Sequence, residues 1–138
     1  MVRKLASAVF LFVGIAIALG AYGHGFVGRL GVDAELAKVQ IAPSVFKILY
    51  VVWYFLSGCM LVFGATIIWA WLKLRRGQTA LVPIVCMIGT LYVVAGVSGM
   101  IYRDGDPFMA TFIVLGGLLL VTTFVLTRRQ PASTPLPG

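Results

Sequence analysis

The sequence predicts an all-α integral membrane protein, with four transmembrane helices in an up-down-up-down antiparallel bundle. Three observations carry this expectation. The chain is poor in charge: of 138 residues 61% are hydrophobic and 11% charged, and the mean hydropathy is +1.05, whereas a soluble domain carries roughly 25% charged residues. Four runs contain no Asp, Glu, Lys or Arg, namely residues 5–28, 48–72, 77–102 and 107–127, of 24, 25, 26 and 21 residues. A hydrocarbon core about 30 Å thick takes about 20 residues at about 1.5 Å each, so every run can cross once. Finally, the charges segregate. With four crossings, Arg3, Lys4, Lys73, Arg75, Arg76, Arg128 and Arg129 fall on one side. The other side holds Arg29, Lys38, Lys47 and Arg103 against Asp33, Glu35, Asp104 and Asp106, a net charge of zero.

All of the net charge of +7 therefore sits on one face. The positive-inside rule then places both termini in the cytoplasm. The lipid bilayer, with its anionic head groups, accounts for these cations. Basic residues alone are an unspecific footprint, and no nucleic-acid partner is expected.

The spans are expected at about residues 5–23, 46–72, 80–102 and 107–127, within a single domain covering 1–129. Span 1 follows Arg3 and Lys4, as a signal peptide would. Its apolar run of 18 residues, from 5 to 22, exceeds the usual h-region of about 7–15, so a retained span is expected. Gly14 and Ala18 have the small-xxx-small spacing that lets a second helix approach closely. Residues 23–47 form the longest connection, expected to be loosened by Gly23, Gly25, Gly28 and Gly31. Within it, residues 33–40 read as a short amphipathic helix capped by Asp33.

Span 2 is expected to start behind Pro43, with Ser44 as N-cap. Tyr50, Trp53 and Tyr54 mark one end and Trp69 and Trp71 the other, an aromatic belt at both interfaces. A basic turn follows at residues 73–78. Pro83 lies in the first turns of span 3, where proline costs least. The turn 103–106 leads to span 4, with Pro107 at the first helical position and Asp106 as cap. The proline-rich tail 130–138 has no apolar face and is expected to be disordered.

Few groups carry chemistry. Residues 23–28 match G-x-G-x-x-G, but a dinucleotide site needs a strand before the motif and a sheet beneath it; neither is predicted. His24 is the only histidine, too few for a bis-histidine haem or a multi-histidine metal site. It is expected at the interface within reach of Asp104 and Asp106, whose charge would raise its pKa. Cys59 and Cys86 differ in expected depth by roughly 12 Å, too far for a disulfide. The spans carry no carboxylate, lysine or arginine, which argues against ion-coupled transport and against hydrolysis. No catalytic residue, cofactor or metal is expected. Tyr92 lies near mid-membrane. It is predicted to face the bundle beside Ser57 and Gly58, with its hydroxyl bonded internally. Gly89, Gly96 and Gly99, with Ala95, are expected to make span 3 small on one side, and Gly116 and Gly117 to do the same for span 4.

The plan resembles the DoxX-like group of small bacterial four-span membrane proteins. The resemblance lies in span count, size, the glycine-rich end of span 1 (residues 20–25) and the basic turn at 73–76. It implies a bacterial inner-membrane location and a redox or accessory role.

Two functions follow as expectations. The first is a non-catalytic scaffold or accessory subunit, binding partner membrane helices or further copies of itself through its glycine faces. The second is a binder of a lipophilic or quinone-like ligand with a redox accessory role, held near Tyr92, Ser57, Trp53, Tyr54 and His24.

Overall fold

The computed structural model describes residues 1–128, so Arg129 and the tail expected to be disordered lie outside the described residues. Among the described residues there are helices and turns and no strand. Helix α1 (Val2–Tyr22) runs through a π-helical turn (Gly23–Gly28) into α2 (Arg29–Leu36). Then come α3 (Pro43–Arg75), α4 (Val82–Tyr102) and α5 (Phe108–Thr127). Four of the resulting helices are long and apolar enough to cross a membrane, the first being the continuous stretch Val2–Leu36.

That stretch corrects the expectation for residues 23–47. The connection is only residues 37–42. The backbone at Gly23 (φ −57°, ψ −45°) and Arg29 (φ −57°, ψ −42°) stays helical, and 35 residues extend about 52 Å, well beyond the hydrocarbon core. Two of the glycines serve close approach rather than looseness. A methyl group on Gly25 would lie 3.1 Å from the Ser57 hydroxyl, and one on Gly28 would lie 3.1 Å from the Trp53 ring. Packing against α3 outweighs the helix penalty of about 1 kcal/mol per glycine. Asp33 is not a cap: it lies inside α2, paired with Arg29 one turn earlier at 3.3 Å. Ser44 does not cap α3 either. Ala42 holds that position without a side-chain bond, and Pro43 opens the helix, where its missing N–H has no helical partner to lose.

At α5 the Asp106 carboxylate accepts a hydrogen bond from the Phe108 N–H at 2.9 Å, and Pro107 stands one position before the first helical residue. The turn into α5 places Asp104 and Gly105 at positive φ. Lys73 and Arg75 in the last turn of α3 complement its carbonyl end.

Two glycine seams hold the helices together. In the first, α1 packs on α3: a methyl group on Gly64 would lie 2.6 Å from the Ala18 nitrogen, and one on Gly14 would lie 2.9 Å from Ile67. In the second, α4 packs on α5. A methyl group on Gly116 would lie 2.5 Å from the Gly89 carbonyl oxygen, one on Gly96 would lie 2.7 Å from Ile113, and one on Gly99 would strike the Met109 sulfur. In both seams early residues of one helix meet late residues of the other, so the paired helices run antiparallel. Helix α5 also packs on α1, and the Arg3 guanidinium donates to the Leu126 carbonyl at 2.9 Å. Phe10, Val13 and Ile17 of α1, Ile67 of α3, Val85 and Tyr92 of α4 and Leu119 of α5 share one core.

Helices α3 and α4 are consecutive and joined by a short turn, yet they touch only sparsely. The small face of α4 (Gly89, Gly96, Gly99) is turned toward α5. That rotation leaves the α3–α4 seam open.

Candidate functional site

The open seam forms a cleft of about 300 Å³. One wall is Leu56, Cys59, Met60 and Phe63 of α3; these positions, spaced three and four apart, share a helix face. The opposite wall is Leu91, Tyr92 and Ala95 of α4, with Phe112 of α5 behind. His24 of the π turn closes one end. A cavity of about 150 Å³ admits benzene, so this cleft has room for a larger ring system or a chain segment.

Tyr92 stands on the glycine face of α4, with its Cβ against Gly116. It is only 5% exposed, and its ring tilts against Phe112 at 5.7 Å. Its hydroxyl has no hydrogen-bond partner among the described residues. The expected partners lie elsewhere. The Ser57 hydroxyl donates back to the Trp53 carbonyl at 3.1 Å and faces Gly25, while Gly58 faces open space.

His24 is also displaced from its expected setting. Its ring stacks on Trp53 at 4.0 Å, and the Trp53 indole N–H donates to the His24 carbonyl at 2.8 Å. No hydrogen bond or ion pair ties it to Asp104 or Asp106; Asp106 pairs with Arg103 at 2.8 Å. The His24 Nε2 atom is buried and, like the Tyr92 hydroxyl, has no partner among the described residues. A π turn at this position fits the frequent occurrence of such turns at functional sites.

Of the five residues singled out from the sequence, Tyr92 and His24 line the cleft and Trp53 holds His24 in place. Ser57 and Tyr54 do not line it. Tyr54 belongs instead to a hub that ties α2 to α3. Arg29 donates to the Tyr54 hydroxyl and pairs with Asp33, the Tyr50 hydroxyl donates to Asp33, and the guanidinium lies 5.0 Å from the centre of the Tyr50 ring.

Sequence reasoning missed the apolar wall, Leu56, Met60, Phe63, Leu91 and Phe112, and placed Cys59 only by depth. Ala95, expected on the small packing face with the glycines, lines the cleft instead. Gly117, expected on the packing face of span 4, faces open space because it lies one residue around the helix from Gly116. Spacing holds the one available signal, the 56-59-60-63 stripe. It goes unread because α3 is apolar on all sides. Cys59 and Cys86 are both free thiols.

Both unpartnered polar atoms belong to residues of this otherwise apolar cleft. Phenol and imidazole can each donate or accept a hydrogen bond. Buried polar groups are almost always bonded, and leaving one unmade costs about 1–3 kcal/mol. The arrangement brings two groups that can hydrogen-bond to the margin of an apolar space. No family model, curated protein or solved structure matches the chain, so function has to be read from the cleft's own chemistry.

Proposed function

We propose that this protein binds a lipophilic, quinone-like molecule between α3 and α4, with a redox accessory role in a membrane complex. The observation that supports this is the coincidence of two unpartnered buried polar atoms, the Tyr92 hydroxyl and His24 Nε2, on one apolar cleft. A ring bearing carbonyl or hydroxyl oxygens would satisfy both, and its apolar body would lie on Leu56, Met60, Phe63 and Phe112. The alternative of a scaffold binding partner helices or further copies through glycine faces has less support. Gly14, Ala18, Gly89, Gly96, Gly99 and Gly116 are all engaged within the chain.

The proposal includes a bacterial inner membrane, with both termini cytoplasmic and kinship to the DoxX-like proteins on their shared plan. The charge asymmetry supports that orientation. A cysteine introduced at Asp104 is expected to react with an impermeant reagent from outside and one at Arg76 is not; the reverse pattern overturns the orientation.

Trp53 provides the readout for binding because it stacks on His24. In a protein carrying Trp69→Phe and Trp71→Phe, a short-chain quinone should quench Trp53 fluorescence saturably. Tyr92→Phe should weaken that binding about tenfold, the equivalent of one lost hydrogen bond of about 1.4 kcal/mol. Unsaturable quenching, or equal affinity in the Tyr92→Phe protein, would overturn the reading.

A further inference from the structure

At the opposite end of the bundle the charge balance is one-sided. Arg3, Lys4, Lys73, Arg75, Arg76 and Arg128 gather there, while all four carboxylates of the sequence, Asp33, Glu35, Asp104 and Asp106, lie at the other end. The three ion pairs among the described residues, Arg29–Asp33, Lys38–Glu35 and Arg103–Asp106, are also at that other end. The protein therefore supplies no acidic side chain to balance its basic end.

Three of these cations meet at one recess. Arg3 and Lys4 come from the first turn of α1 and Arg75 from the last turn of α3; together they line a space of about 440 Å³. The rest of its lining is largely apolar, from Trp71 and Leu74 of α3 and Leu126 of α5. Arg3 and Arg75 are held in place by their neighbours. Arg3 donates to the Leu126 carbonyl at 2.9 Å, which uses one of the five N–H donors of a guanidinium. The Arg75 guanidinium lies 4.8 Å from the centre of the Trp71 ring, and the Trp71 N–H donates to the Ser7 hydroxyl at 2.9 Å.

We infer that this recess is a binding site for the phosphodiester head group of an anionic glycerophospholipid. Arg3, Lys4 and Arg75 take the phosphate, and the glycerol and first acyl methylenes lie on Trp71, Leu74 and Leu126. Charge complementarity calls for an anion, and the apolar lining distinguishes a lipid from a soluble phosphate. Basic pockets between membrane helices are one form of such recognition. Positions 73 and 76 carry charge of the same sign at the same end but do not line the recess. They therefore separate a built site from a diffuse field.

The test is native mass spectrometry of the full chain in detergent micelles, titrated with phosphatidylglycerol or phosphatidylcholine. One phosphatidylglycerol should be retained about tenfold more strongly than phosphatidylcholine, a difference of about 1.4 kcal/mol. The K4Q/R75Q protein, which keeps the Arg3–Leu126 bond, should lose that preference, while K73Q/R76Q, with the same charge removed, should keep it. If K4Q/R75Q does not fold by circular dichroism, R75Q alone should lose most of the preference. Equal loss in both double variants would overturn the site in favour of diffuse charge. Absence of any preference in the wild-type protein would overturn it outright. Binding of glycerol phosphate as tight as that of the lipid would overturn the lipid assignment.

Discussion

The α4–α5 seam and the α3–α4 seam are built from the same helix, α4, and differ in every physical respect. Along α4–α5 the backbones touch: a methyl group on Gly116 would come within 2.5 Å of a carbonyl oxygen of α4. Along α3–α4 large side chains face one another across a cleft of about 300 Å³, and a buried hydroxyl stands without a partner. One seam sets glycines directly against backbone and against Leu120, Ile113 and Met109. The other has bulky apolar walls and is lined by two residues, Tyr92 and His24, whose buried polar atoms have no partner among the described residues. Within a bilayer the hydrophobic effect does not drive helices together, so close packing decides which seams shut. The difference shows that α4 closes one face by backbone contact and leaves the other lining an open cleft.

The largest effect should come from breaking the closed seam. Gly116→Ala is expected to cost about 2–3 kcal/mol, because the new methyl meets backbone that cannot rotate away. Its neighbour makes the control: Gly117 has open space around it, and Gly117→Ala should be neutral or gain up to about 1 kcal/mol from helix propensity. Reversible unfolding of both variants in mixed micelles measures this, and equal losses would mean that the seam does not depend on close backbone approach.

The open seam should respond with the opposite sign. Tyr92→Phe removes an unpartnered buried hydroxyl, so the ligand-free protein should gain about 1 kcal/mol while ligand binding weakens. A loss of stability in the same unfolding assay would reveal an internal partner for the hydroxyl. Filling the cleft sharpens the contrast further. Ala95→Phe should abolish quinone quenching of Trp53 and change stability by less than about 1.5 kcal/mol, since it adds volume where space exists. The smallest effect belongs to the exposed Lys38–Glu35 pair, 2.7 Å apart with both side chains mostly exposed. Glu35→Gln should alter stability by no more than about 0.5 kcal/mol.

Much of the architecture is legible in the sequence. The uncharged runs marked the four long helices, and the glycines at 89, 96, 99 and 116 fell where helices meet. Reading failed where a residue type has two uses. The glycines between 23 and 31 signalled a loose loop, yet they continue a helix, because Gly25 and Gly28 allow α3 to come close. Asp33 looked like a cap because aspartate favours that position, yet Arg29 and Tyr50 hold it within α2. Depth in the membrane singles out Tyr92. It does not single out Cys59 or the apolar wall around them, since a helix apolar on every side gives no sign of which face turns inward.

The sequence alone determined how many helices are long and apolar enough to cross a membrane, where they begin and end to within a few residues beyond the first, and which end carries the positive charge. Those properties follow from local composition and from the thickness a helix must cross. Only the tertiary structure decided how each helix is rotated, which seams close and which side chains share a cleft. Rotation depends on whether small residues on one helix meet backbone on another, a relation between distant segments. It left Tyr92 and His24 facing one space, and it drew Arg3, Lys4 and Arg75, 71 residues apart in the chain between Lys4 and Arg75, around another.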